Sequence, residues 1–421
     1  MLSLSPNPLP LFLFQQDAGA HYCDITGELS WVASLRDDEQ LDAKAKAAGV
    51  KVVRFRRRFF CFFCFCLILS SFFFLSLSFF SPSLFLQTPL QVPCCGYDCV
   101  PSDLGAFMVA EELKSRGKSV AKIETVVDGS KMDGGGISGG TAASALNLMG
   151  DSKAMAVAND PYVCFPPEEA EAKKKKLKAK GVALARPYPP IRLSRRSPAL
   201  ASGAAGSSGW AVSWPLGGAN CAVVRRSAAL LGYGKKKKEG EEGESEFENE
   251  VEVDETVEFP SLKHAALFDA GIASIGAAVF AGSLLPPVKL WLSAKVPQPG
   301  TGPSRQKMLE APWRHAVVAT AGSSEKSSST SSSSSVPPPV SVRGVVGGPQ
   351  DRGYYMTARM VLEAGLALAL EGDGGEKKKE GGKKKDSSSQ LAAGILTPAA
   401  ALGNTLLGRL RAAGFTFEIE K

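Results

Sequence analysis

Histidine is scarce in this chain: three residues in 421, at positions 21, 264 and 315, far apart in sequence. The chain contains no HExxH helix, no recognisable Ser-His-Asp arrangement and no paired-carboxylate constellation, so the commonest hydrolytic chemistries have no candidate residues. The nine cysteines form no disulfide framework. Cys61, Cys64 and Cys66 share one apolar run, while Cys94, Cys95 and Cys99 cluster without the histidines or second cysteine pair of a zinc site, which fits a reducing compartment. Aromatic residues are missing from the lysine runs at 173–176, 235–238, 377–379 and 383–385. Those runs are mixed with glutamate and glycine and read as solvated loops rather than a nucleic-acid face, despite the net charge of +7. The first sixteen residues have no positive n-region and no cleavage pattern, so no secretory signal is expected there.

What the chain does have centres on Val92–Gly150. A turn-rich start leads into a helix pattern with apolar residues at Leu104, Phe107, Met108 and Leu113, Ser102 placed to cap it and Gly117 to stop it. Val120, Ile123, Val126 and Val127 follow as a short strand. Gly134, Gly136 and Gly139 then spell GxGxxG, with Asp160 about twenty residues on, as in a dinucleotide-binding turn. Two readings stand. One is a cofactor turn; the other is a tight glycine loop, favoured because Pro161 directly follows Asp160 and because glycine is abundant here.

The flanks are uneven. Asp37–Gly49 reads as a short helix and Val50–Phe55 as the start of a strand. From Phe59 to Leu86 there is no charged residue, and eleven of the 22 phenylalanines fall there. By length and hydropathy this is a transmembrane candidate with Arg54 and Arg56–Arg58 as a positive flank. By composition it is also what a translated pyrimidine-rich intron would give, and it interrupts a strand. Further on, Glu168–Lys180 is a charged connector. Arg225 and Arg226 could meet an acidic substrate group or a phosphate, or be a solvated pair ahead of a helix capped by Ser227. Lys235–Glu258 reads as a polyampholyte insert that need not fold, and Ser323–Ser335 as a serine-rich bulge. Ala265–Val288 is apolar enough for a buried, interface-lying or membrane-crossing helix. Near the end, Val342–Val346 reads as a strand and Thr357–Leu370 as a helix capped at Thr357. Thr397, Pro398 and Gly414 bracket a last helix before a strand over Phe415–Ile419.

The segments Cys95–Gly105 (CGYDCVPSDLG) and Gly135–Ser144 (GGISGGTAAS) resemble those of the saccharopine dehydrogenase-like oxidoreductases, which include trans-acting enoyl reductases. So do the VVRRS and GYG segment before Gly234, the turn Pro299–Ser304, and the pattern from Asp351, Gly353, Tyr354, Thr357 and Met360 to Thr397, Gly403, Arg409 and Gly414. The resemblance implies an α/β fold: an incomplete Rossmann-like parallel sheet over 17–150, interrupted by the apolar insert 55–91, a second α+β domain over 151–350, and C-terminal helices and strand over 351–421 packing back on the first. It implies NADP or NAD as cofactor and a lipid-linked substrate, with hydride transfer as the chemistry. No first βαβ unit with its glycine turn precedes Asp17, so weak nucleotide binding is expected. His21, Asp24, Tyr97 and Asp98 are the candidate cofactor-binding residues, at a strand end and at the return to the domain junction; the plainer alternatives are a satisfied loop histidine at 21 and an Asp98 that fixes the turn before the Ser102 helix. The catalytic residues are not legible, and a metal is not expected. The rival class is a non-catalytic protein of a membrane or lipid-droplet surface, suggested by the apolar runs at 59–86 and 270–288.

Overall fold

Twelve of the sixteen residues of helix α1, Val100–Ser115, are buried. A helix buried all round its first three turns must be wrapped on every side there, and the rest of the fold is arranged to do so. The computed structural model describes residues 22–25, 91–92, 94–131, 157, 160–179, 194–195, 209–214, 217–234, 250–295, 302–322, 340–371 and 396–420. The expected helix 37–49, the apolar run 59–86, the Gly134–Gly139 loop, the serine bulge and His21 lie outside these residues.

Two short strands, β1 (Tyr22–Cys23) and β2 (Gln91–Val92), pair in parallel. After α1 comes β3 (Val120–Asp128), then helix α2 (Pro167–Ala179) and strands β4 (Ser194–Arg195) and β5 (Trp210–Ser213). Helix α3 (Gly217–Leu230) leads to β6 (Glu252–Phe259), followed by helices α4 (Leu262–Leu284), α5 (Pro286–Lys295) and α6 (Arg305–Leu309). Strands β7 (Trp313–Ala321) and β8 (Ser341–Gly348), helices α7 (Tyr355–Glu371) and α8 (Pro398–Ala412), and strand β9 (Thr416–Ile419) complete the chain.

The large sheet has seven strands in the order β4-β5-β6-β3-β7-β8-β9. Only β3 and β6 pair in parallel; every other neighbour is antiparallel. The α/β class therefore holds, but the parallel sheet expected of the first segment is present among the described residues only as β1 and β2. Strand β3, expected beside them, is instead the middle of the mixed sheet, which draws strands from 17–150, 151–350 and 351–421 alike. The reason lies in its composition: Val120, Ile123, Val126 and Val127 are all buried, so both faces need cover. Helix α1 lies on one face, close enough that a Cβ on Gly105 would stand 2.9 Å from Val317 and 3.0 Å from Val346. Helix α8 packs on α1, and α7 packs on α8 and reaches β1, where the Cys23 thiol meets the Val361 carbonyl at 3.7 Å.

Several local expectations give way to tertiary ones. Residues 252–258, read as part of an unfolded polyampholyte, form the sheet strand β6. Val253 and Val257 are buried and alternate with charge, a strand pattern that its acidic residues disguise. The charged connector at 168–180 is helical over Pro167–Ala179. Helix α1 starts from Cys99 without a side-chain cap, α3 holds Ser227 in its interior, and Asp351 caps α7 by accepting from the Tyr354 and Tyr355 amides. Ser102, Ser227 and Thr357 all have other partners. Thr397 does cap α8, accepting from the Ala400 amide at 3.3 Å, and Gly117 and Gly414 take the positive φ that ends α1 and α8.

Candidate functional site

The turn Gly96–Cys99 delivers Tyr97 onto the sheet face beneath α1. Its backbone is held from α7: the Tyr97 amide donates to Thr357 Oγ1 at 3.2 Å, and that hydroxyl donates to the Arg352 carbonyl at 2.8 Å. A side chain at Gly96 would be tight, its Cβ 3.2 Å from Ile25 and 3.3 Å from Thr357. The Tyr97 hydroxyl meets His315 Nε2 at 2.8 Å, and the Trp313 ring stands edge-on to both rings, with centroids 5.1 Å away. The Arg352 guanidinium lies 5.5 Å from the centre of the Tyr97 ring.

Strand register places a second group on the same face. Val127 lies opposite both His315 and Val257, and two residues back Thr125 lies opposite both Val317 and Glu255. Glu255 is therefore one row from His315, and α1 spans the two: Tyr97 precedes the helix and reaches His315, while Ser102 Oγ donates to Glu255 Oε1 at 3.0 Å. Asn220, in the first turns of α3, also hydrogen-bonds the Glu255 carboxyl.

Burial sets the charges. It pushes Glu255 up to about 8, aided by the nearby Asp254 and Asp98 charges and opposed by the Asn220 and Ser102 hydrogen bonds. It raises Asp98 to about 6. The Tyr97 phenol is held above its ordinary range by burial, with Arg352 opposing, and His315 is driven down to about 3 by burial and then by Arg352. At neutral pH the Tyr97–His315 pair is thus uncharged. Its hydrogen bond leaves a donor over in either tautomer: the Nδ1–H of His315 if the phenol donates, or the phenol O–H if the ring donates. His315 Nδ1, Trp313 Nε1, Glu255 Oε2 and Asn220 Oδ1 are all buried and have no protein partner among the described residues. Neutral buried donors suit an oxygen on which charge develops during reaction.

Of the four candidate residues, Tyr97 is at the centre of this group and Asp98 is half-buried at its edge. Asp24 is buried where β1 ends, its carbonyl accepting from the Cys95 amide at 2.7 Å, just before the Tyr97 turn. Arg225 and Arg226 are spent elsewhere, on the Val253 carbonyl (3.1 Å) and on Glu169 (3.2 Å). Glu255, His315, Trp313 and Arg352 are what sequence reading missed. Alternation in residues 313–321 was the available signal for two of them. Among the described residues no group of three or more His, Cys, Asp or Glu is placed to hold a metal ion.

No family profile matches the chain, and no solved structure matches it. Curated relatives do. The chain is 30% identical over 334 residues to a provisionally named trans-acting enoyl reductase of Mycobacterium tuberculosis strain H37Rv, covering 78% of this chain and 66% of that protein. It is 28% identical over 330 residues to a trans-acting enoyl reductase of Mycobacterium ulcerans, covering 77% of this chain and 65% of that one. The chain thus spans just under two thirds of the length of the curated relatives it matches, and the matches support a likeness to enoyl reductases.

Proposed function

We propose that the chain is an oxidoreductase that reduces the carbon–carbon double bond of an enoyl group on a lipid-linked substrate, with NADPH or NADH as the reductant. The observation that carries this reading is the buried, uncharged Tyr97–His315 pair with one donor to spare. When bound, the dinucleotide supplies a hydride; Asp24, Tyr97 and Asp98, with His21 ahead of β1, are the residues that would line its site. Hydride delivered to the β-carbon of the enoyl group would move negative charge onto the carbonyl oxygen, and a proton taken up from water at the α-carbon would complete the saturated product. The spare Tyr97 or His315 donor stabilises that oxygen without bringing a charge of its own. Arg352 adds a positive field at the Tyr97 ring, and Thr357 fixes the turn that aims the phenol.

The test is single-turnover conversion of a trans-2-enoyl thioester at millimolar NADPH, read as saturated thioester by mass spectrometry, which tolerates weak cofactor binding. The wild-type chain should convert it, and Tyr97→Phe should slow the step by about 10²–10³-fold, the usual cost of one oxyanion donor, while remaining folded at the assay temperature. No conversion with either nicotinamide, or an unchanged rate in Tyr97→Phe, overturns the reading.

A further inference from the structure

Helices α4 and α5 leave the body of the protein. At its start α4 is anchored: Ala265 is fully buried, and Phe268 packs against Phe259 and Trp214, with ring centroids 5.1 and 6.5 Å away. Beyond that the helix stands clear. Residues 273–277 are five consecutive exposed positions, more than one full turn, so no side of the helix is against the protein there. A Cβ on Gly271 or Gly276 would meet nothing within 4 Å. Yet this free segment is apolar. Leu267, Ile275, Leu284, Leu285 and Trp291 are each about half exposed or more. Among the described residues Leu262–Gly282 is the one stretch of helix long and apolar enough to cross a membrane.

We propose that the α4–α5 hairpin seats the protein on the surface of an anionic lipid layer, entering one leaflet without crossing it. Three observations select this occupant. First, exposure runs right round α4 over residues 273–277, whereas a partner helix or a second copy covers only one stripe. Second, charge is complementary: residues 270–295 contain no acid, and their only charges are Lys289 and Lys295, both on α5. Third, topology forbids a through-span. The chain enters the hairpin from β6 and returns to β7, strands of the same sheet, so both ends lie on one side. Helix α4 is about 35 Å long and α5 only about 15 Å, and α5 packs back on α4. Full insertion of α4 would leave Lys295 deep in hydrocarbon. Seating at the interface instead puts the Leu284–Leu285 tip among acyl chains, with Trp291 at the boundary such rings favour.

The experiment uses the full chain and vesicles of phosphatidylcholine with about one third phosphatidylglycerol, carrying lipids brominated near the headgroup end of the acyl chain. The deciding readout is the quenching lost when Trp291 is replaced by Phe, which reports on this hairpin whatever else in the chain touches lipid. Trp291 should be quenched, and quenching should fall with Leu284→Asp/Leu285→Asp and with pure phosphatidylcholine. Where flotation depends on the hairpin, the double variant should reduce the bound fraction about tenfold, while Leu362→Asp, an exposed change on α7, should leave it unaltered. Trp291 quenching that is absent, or unchanged in the double variant, overturns the proposal. So does a lipid-indifferent dimer that the double variant dissociates, which would make a second copy the occupant.

Discussion

Glu255 makes the stability of this fold depend on pH in an unusual direction. A carboxyl that ionises near 8 when folded and near 4.5 when free holds its proton more tightly in the native state. Its contribution to stability is complete below pH 4.5 and is lost as pH rises through 8. At about 1.4 kcal/mol per unit, that window corresponds to roughly 3–5 kcal/mol, with a slope no steeper than about 1.4 kcal/mol per pH unit from this group. Asp98 and Asp103, raised to about 6 and about 7, bend the curve the same way at lower pH. Glu255→Gln should remove the Glu255 part alone, because the amide oxygen can still accept from Ser102. Urea unfolding followed by tryptophan emission should show the two proteins nearly equal at pH 5, and the variant more stable by a margin that widens up to pH 8.5. A gap that stays constant across that range would refute the argument, since it would mean that Glu255 ionises alike in both states.

The remaining predictions concern packing and the knot of polar groups beneath α8. Asp103 accepts from the Ala399 amide at 2.8 Å and from the Ser227 hydroxyl, which also meets Thr397 Oγ1 at 2.6 Å. Asp103→Ala strands both donors in the core and should cost roughly 2–4 kcal/mol, read as a fall in urea midpoint, with Asp103→Asn costing clearly less. Gly105→Ala drives a methyl into Val317 and Val346 and should cost about 1–3 kcal/mol; an unshifted melting temperature would show that α1 can lift off the sheet freely. Arg409→Ala breaks the 2.9 Å pair with Glu363 between α8 and α7. Because both side chains are largely shielded, the loss should exceed that of an exposed pair, at about 1–2 kcal/mol, measurable by the same titration.

What the sequence disclosed about the site was its partners, not its chemistry. The CGYD segment and the run from Asp351 to Met360, far apart in the chain, prove to be one unit: Thr357 holds the Tyr97 amide and Arg352 lies over the Tyr97 ring. Gly302, from a third such segment, packs so close to Tyr354 that a Cβ there would stand 2.7 Å from the phenol oxygen. Glu255 and His315 escaped notice because they sit within strands whose role depends on neighbours. An acidic run such as EVDETVEF looks solvated until β3 and β5 pair on either side of it. The misassigned caps share a cause. Ser102, Ser227 and Thr357 each stand near a plausible helix start, and local rules give them to the backbone. Burial offers them Glu255, Asp103 and the Tyr97 amide instead, and an unmade bond to a buried group costs more than a lost cap.

The position of β3 also fixes when the protein can finish folding. This strand leaves the ribosome early, yet its two sheet neighbours are β6 and β7, and Thr125 must await Glu255 on one side and Val317 on the other. The second is made about 190 residues later, or some 10–40 s at ordinary rates of synthesis. Until β6 is made this valine-rich strand has two unsatisfied edges, until β7 is made it still has one, and α1 lacks the β7 and β8 strands it lies on. A nascent chain in this state is a template for pairing with its neighbours, so its yield in a cell should depend more on chaperone supply than on the final stability of the fold.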